Sequence, residues 1–281
     1  MKIDHVSVAG RELRSLERSF SRSGMKTDYG GPHSNGVTEM SLLGFADGSY
    51  IELISTIEPR APSPIWNAHI GGDGGPCAWA VEVQDIAGQA SKAARLGFPV
   101  SGPEDYSRKR PDGVLVEWKL AFIGDQEPGA ILPFLIEDTT PRDYRVKPSQ
   151  SVADGLLKGI GTVVIGVDDI GDPAREFGKL YGWPWPESRR DLWGEVELAS
   201  FPGTPVVLAA PPGDGWLGRR LERYGPSPCA FLIETDDMEK ASQRFPLERR
   251  QEWFGGRYIR WVAPLKEDGL MIGLVGSDSA R

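Results

Sequence analysis

One pattern of strand and helix signals is written four times along this 281-residue chain, and it constrains the fold more than any single motif. The first copy opens on Lys2-Ile3-Asp4-His5-Val6-Ser7-Val8-Ala9, whose alternation predicts a half-buried strand. Leu13, Leu16 and Phe20 then fall at i, i+3 and i+7 on one helical face, and Gly24 closes that helix. Strand-like runs follow over residues 37–45 and 50–54, joined by the turn Ala46-Asp47-Gly48. The second copy has a strand at 78–83, a helix at 86–97, and strands at 114–122 and 131–136. Leu13 to Gly24 and Ile86 to Gly97 are both steps of 11, so the two copies superpose at an offset of 73 without a gap. A third copy has a strand at 161–167, a helix reaching Gly182, and strands at 195–201 and 206–210. A fourth has a strand at 229–234, a helix from Asp237, and strands at 258–263 and 271–275. In the last three copies Asp85, Asp169 and Asp237 precede a hydrophobic residue at the strand-to-helix turn, where a carboxylate can cap the helix.

The repeating unit therefore reads as βαβββ, and the fold class as α+β. Residues 141–157 are polar, proline-bearing and aperiodic, and are expected to link two pairs of units, 1–140 and 158–281. Each pair is expected to curl into a half-barrel around a cleft. No apolar run approaches the roughly 18 residues that span a bilayer, and Met1-Lys2-Ile3-Asp4 does not open a secretory leader. A net charge of -8 argues against a nucleic-acid partner. Two cysteines, Cys77 and Cys229, make no disulfide framework, so a cytoplasmic location is expected. Gly71-Gly72-Asp73-Gly74-Gly75 lacks the strand–loop–helix context of a phosphate cradle; it reads as a hinge-like linker, and no nucleotide cofactor is expected.

Only three histidines exist, His5, His33 and His69, all in the first quarter. His5 and Glu52 stand at the centres of the first copy's opening and closing strands, where apolar residues belong. Burying a carboxylate in a strand is costly unless it is paired. Glu52 is thus either matched with an arginine or with His5, or part of an acid/base couple. His33 follows Gly30-Gly31-Pro32 in what reads as a flexible loop, and His69 lies in the stretch joining two units; each is either solvated or folded over the cleft. On the strand at 114–122, Trp118 shares its face with Val116 and Leu120, a set suited to the helix-covered side. Glu117 and Lys119 are left to face the cleft and contact substrate. In the second pair, Glu195, Glu197 and Trp193 share one strand face. With no His, that pair is expected to serve structure, a homodimer contact or an apolar pocket. Nine tryptophans fit core packing or an aromatic-lined pocket.

Asp4-His5, Gly30-Gly31-Pro32-His33 with Gly36, and Tyr50-Ile51-Glu52-Leu53-Ile54, set in this repeat, resemble the vicinal oxygen chelate superfamily, and within it a glyoxalase-like subgroup. Gly102-Pro103, Arg110-Pro111-Asp112-Gly113 and Leu132-Pro133-Phe134-Leu135-Ile136 are similar to the same subgroup. The superfamily includes glyoxalase I, extradiol dioxygenases, and bleomycin- and fosfomycin-resistance proteins. The resemblance implies a divalent metal (Fe, Mn, Zn or Ni) held by the first and fourth strands of paired units. His5 and Glu52 fall on two ligand positions. His33 is the expected third, with His69 or Glu117 as alternatives; Arg108 or Arg110 could hold a substrate carboxylate or carbonyl oxygen, and Arg110 is the expected one because the resemblance touches it. The second unit departs from the pattern, with Ala78 at the His position and Glu137 only at the end of its last strand. Thr162 and Ala230 hold the His position in the other two units. Two functions fit: an isomerase, lyase or dioxygenase acting on a small organic molecule in the first cleft, or a protein that binds and sequesters such a molecule.

Overall fold

The computed structural model describes residues 1–191 and 196–277. The first unit is β1 (Lys2–Ala9), α1 (Leu13–Arg22), β2 (Asp28–Pro32), β3 (Thr38–Gly44) and β4 (Tyr50–Thr56). Helix α2 (Asn67–Gly72) leads to the second: β5 (Gly75–Glu82), α3 (Ile86–Arg95), β6 (Val100–Lys109), β7 (Leu115–Ile123) and β8 (Phe134–Asp138). After α4 (Arg142–Arg145) comes the third: β9 (Leu157–Gly166), α5 (Gly171–Tyr181), β10 (Glu187–Asp191), β11 (Val196–Ser200) and β12 (Val206–Ala210). Helix α6 (Trp216–Tyr224) precedes the fourth: β13 (Ser227–Thr235), α7 (Met238–Arg244), β14 (Gln251–Glu252), β15 (Tyr258–Trp261), α8 (Ala263–Glu267) and β16 (Ile272–Gly276). The strands form two eight-stranded mixed sheets, ordered β2-β3-β4-β1-β5-β8-β7-β6 and β10-β11-β12-β9-β13-β16-β15-β14. These are two tandem half-barrels, each made of two βαβββ units. Among the described residues no helix is long and apolar enough to cross a membrane.

Helix starts follow the local chemistry. The Asp85 carboxylate accepts from Gly88 N at 2.9 Å and that of Asp237 from Lys240 N at 2.8 Å, capping α3 and α7. Asp169 accepts from Gly171 N at 2.7 Å as α5 begins. Strands β2, β6, β10 and β14 lie outside the hydrophobic runs legible in the sequence. All four are sheet edges, paired on one side only, so they carry polar sequences such as Glu-Ser-Arg-Arg-Asp.

Register sets the two halves of the first sheet against each other. Across the antiparallel β1–β5 pair, His5 faces Ala80, Val6 faces Trp79 and Ser7 faces Ala78, a pseudo-twofold centred on Val6 and Trp79. Ser7 aligns with Glu52 on β4, and its counterpart Ala80 aligns with Phe134 on β8. Phe134 therefore stands where the first half has Glu52, and Ala78 where it has His5. In the second sheet the same bookkeeping leads to Thr162, Val207, Ala230 and Gly273. None of these carries an imidazole, a carboxylate or a thiol.

The helix-covered faces of both sheets merge into one core, with Val6, Leu53, Trp79 and Val81 packed in the same cluster as Val163, Phe177, Phe231 and Ile233. The opposite face of the second sheet is also filled, by Val164, Val207, Leu232, Trp261 and Leu217 of α6. Glu197 is exposed on β11, while Glu195 and Trp193 lie outside the described residues. The stretch 141–157 is docked and does more than link: Arg145 and Val152 are buried, and Ser149 Oγ donates to Asp28 Oδ2 at 2.6 Å. Residues 71–75 join the first two units as a short connection. Gly71 and Gly72 finish α2, and Arg11 ties the segment down by donating to Asp73 Oδ1 at 2.8 Å and to the Gly71 carbonyl at 2.7 Å.

Candidate functional site

The β1–β5 pairing slips between Ile3 and His5, leaving Asp4 as an extra residue in β1. A bulge of this kind re-aims side chains, and here it lets Asp4 reach its own neighbour: His5 Nδ1 lies 2.6 Å from Asp4 Oδ1. The imidazole is buried, stacked on Tyr50 with centroids 4.7 Å apart and edge-on to Phe134 at 5.3 Å. Asp4 is wholly buried and is held by Arg145, whose Nη1 and Nη2 donate to its two oxygens at 2.8 and 2.7 Å, and by Arg142. Arg145 also donates to Asp138 at 2.7 and 3.0 Å and to Tyr50 Oη at 3.0 Å. Burial alone would raise the Asp4 pKa, but Arg145 and His5 outweigh it and hold the carboxyl well below its usual range. An ionised carboxylate only accepts hydrogen bonds, so Nδ1 of His5 is the donor. The lone pair of neutral His5 is then on Nε2, which has no partner among the described residues.

Glu52, beside Ser7 on the same face, is also buried. Ser7 Oγ donates to Oε2 at 3.0 Å, and His33 Nε2 lies 3.2 Å from Oε1. Burial pushes the Glu52 pKa up, but the bond and charge of His33, with His5 and Ser7, bring it down to about 2. The turn between β2 and β3 brings His33 there, closed by His33 N donating to the Thr38 carbonyl at 2.8 Å. With Glu52 ionised, His33 donates through Nε2, and its Nδ1 lies 2.9 Å from Thr38 Oγ. Thr38 Oγ accepts in turn from Asn35 Nδ2 at 3.0 Å. The loop expected here thus carries a hydrogen-bonded relay that ends on Glu52.

His5, His33 and Glu52 border a cavity of about 280 Å³ walled by Trp66, Trp118, Phe122 and Phe134. Other expected site residues lie elsewhere. The face of β7 that lines the cavity carries Trp118, Leu120 and Phe122. The expected facing is therefore reversed, because the cavity is apolar and takes the apolar set. Glu117 is exposed, and Lys119 pairs with Asp105 at 2.8 Å. Arg110 turns away, bonded to Asp112 at 2.6 Å and to the Tyr144 carbonyl at 3.2 Å. Its neighbour two residues earlier, Arg108, lines the cavity instead. His69 is buried where α2 meets α6, 3.2 Å from Ser227 Oγ and stacked on Tyr224. Burial, then Arg220, lowers its pKa to about 3, so it is neutral there. Glu137 Oε2 accepts from Ile86 N at 2.7 Å at the start of α3. Asp4 and Arg145 are the residues that sequence reasoning missed, and of the two arginines in the basic turn it favoured Arg110 where the structure brings Arg108 to the cavity. The one available signal was a strand aspartate directly before the singled-out His5; β6 and α4 give no periodicity to place the arginines.

A catalytic divalent ion takes three or more protein donors and keeps an open position. Among the described residues no group of three or more His, Cys, Asp or Glu is placed to hold one. The reason is chemical as well as geometric. The two remaining ligand positions of the paired units are Ala78 and Phe134, whose side chains offer no donor atom. The residues present do not fit the expected metal.

Solved structures of similar fold cover nearly the whole chain. One is a hypothetical protein from Staphylococcus aureus, with TM-score 0.64, 16% identity, and 98% of this chain and 99% of that one covered. Another is a variant of 4-hydroxymandelate synthase from Streptomyces coelicolor, with TM-score 0.61, 11% identity, and 100% and 93% covered. A third is a xylose isomerase-like TIM barrel/4-hydroxyphenylpyruvate dioxygenase fusion protein, with TM-score 0.61, 14% identity, and 100% of this chain and 49% of that one covered. At these identities the likeness is one of fold. No curated protein sequence matches the chain at a significant level. The family model described as glyoxalase-like domain matches residues 3–181. Together with the two half-barrels of paired βαβββ units, that match shows that the chain belongs to the glyoxalase-like domain family.

Proposed function

We propose that the protein is an enzyme that moves a proton on a small organic molecule held in the first domain's cavity, as in an isomerisation or an elimination. The supporting observation is His5: a buried imidazole, fixed through Nδ1 by an ionised Asp4, with unpartnered Nε2 in a cavity-lining ring. In that state Nε2 takes a proton from a carbon next to a carbonyl and can return it to a neighbouring atom. The imidazolium formed is offset by Asp4 on one side and by the charge of Glu52 on the other. Glu52, already capped by Ser7 and His33, serves as an acceptor that orients a substrate hydroxyl or amine. The aromatic walls exclude water and supply the apolar contact.

A second reading is favoured by Ala78 and Phe134, which replace two ligand positions with apolar surface. A cavity so lined suits a protein that holds an aromatic molecule without changing it. One measurement separates the two. Small aryl and alkyl carbonyl compounds are incubated with the protein in heavy water, and loss of the C–H signal is followed by proton NMR. Proton transfer predicts exchange in at least one compound, reduced about 10²–10⁴-fold in His5→Gln. No exchange anywhere, with ligand bound equally by wild type and His5→Gln, would leave the binding protein standing.

A further inference from the structure

We infer that Arg108 is the anchor for a ligand carboxylate, so that the cavity takes a compact monoanion with a flat apolar body, an aryl or alkenyl carboxylate. This rests on the cavity being the substrate site and names the substrate class.

Two guanidinium groups border the cavity, and they are in opposite states. Arg145 is neutralised by Asp4 and Asp138. Arg108 is equally buried, at 6% exposed, but no carboxylate oxygen lies within 4.0 Å of it among the described residues. Its two hydrogen bonds go to carbonyl oxygens, Nη1 to Gly30 at 2.8 Å and Nη2 to Arg145 at 3.1 Å. These bonds fix the plane of the group without cancelling its charge. A guanidinium has further N–H donors, and those of Arg108 have no acceptor among the described residues. None of its nitrogens is a sealed, unpartnered atom, so the free donors open onto the cavity that Arg108 lines. Burial pulls the Arg108 pKa below its usual value, with Tyr50 and Glu52 opposing that shift. A planar carboxylate, docking two oxygens against the N–H fork, supplies the missing acceptors and charge together.

The rest of the cavity sets the body of the ligand. Phe122 and Phe134 lie 5.8 Å apart and Trp66 and Phe134 6.5 Å apart, walls that stack against a flat group. A volume of about 280 Å³ is at the lower edge of the ~300–1,000 Å³ range of ligand pockets, which suits a one-ring molecule and is too small for a nucleotide. Glu52 repels a second negative charge, which limits the ligand to one.

Isothermal titration of cinnamate and its neutral counterpart cinnamamide tests the anchor. Wild type is expected to bind cinnamate at least about tenfold tighter than cinnamamide, in line with a charge-assisted pair. In Arg108→Gln the two affinities should converge, with that for the amide unchanged. Arg110→Gln, altered outside the cavity, should keep the wild-type preference. Equal affinities in wild type, no binding of either compound, or a preference surviving in Arg108→Gln would each overturn the inference. Should Arg108→Gln fail to fold, Arg108→Lys decides, because a lysine keeps the charge and loses the fork. A reduced carboxylate preference then supports the anchor, and an unchanged one refutes it. Carboxylate selectivity without C–H exchange in any carbonyl compound would remove the proposed chemistry and leave the anchor in place.

Discussion

Glu52 shows how one residue's setting becomes a measurable property of the whole protein. Its carboxyl is held at about 2 against an ordinary 4.5. A depressed acid stabilises the fold fully above its unfolded value, and that contribution is lost as the pH falls through the folded value. Part of the protein's acid sensitivity should therefore lie between pH 4.5 and about 2. A shift of this size corresponds to at most about 3 kcal/mol. Urea midpoints measured across that window should fall less steeply in Glu52→Gln than in wild type. Parallel curves would assign the acid limb to Asp4 or another group. At this scale the sequence was informative where a polar residue interrupts an apolar strand, as at His5 and Glu52. It was uninformative about Arg108 and Arg110, two residues apart on one basic run: only the course of β6 decides which enters the cavity and which turns out to Asp112.

Among elements, α4 shows how a segment without periodicity can be structural. Its four residues place Arg145 against Asp4 and Asp138, and Arg142 against the same pair and the Gly48 carbonyl. Removing one partner of a buried ion cluster leaves the others uncompensated, typically at a cost of ~3–5 kcal/mol. Arg145→Leu should lose stability of that order in chemical denaturation, and His5 should lose its fixed orientation with it. A loss under about 1 kcal/mol would show that Asp4 and Asp138 find water instead. The edge strands β2, β6, β10 and β14 make the complementary point. Pairing on one side fixes them, so their sequences carry no alternation to read. Central strands, packed on both faces, announce themselves.

For the molecule as a whole, the helix-covered faces of the two half-barrels share a core and β5 packs against β13, so the two are expected to fold as one unit. A fragment ending at residue 140 would expose that core and lack Arg145. It should show no cooperative unfolding transition by circular dichroism, whereas the full chain should unfold in a single step. A fragment that melts cooperatively near the full chain's temperature would mean that the shared core is dispensable. The two halves also differ on the other sheet face. In the second, Trp261, Leu232 and Leu217 of α6 pack together there. In the first, the corresponding face stays open around His5.

The sequence alone determined the repeat, the βαβββ unit, the pairing offset between the first two units, and the prominence of His5 and Glu52. These follow from local rules: strand and helix periodicity, caps, and the cost of burying charge. Only the tertiary structure decided what surrounds those two residues. The bulge at Asp4, the arrival of Arg145 from 141 positions along the chain, the relay through His33, and the face of β7 turned inward are all long-range contacts. No local pattern encodes them, because each depends on which buried charge finds which partner once the sheet has closed.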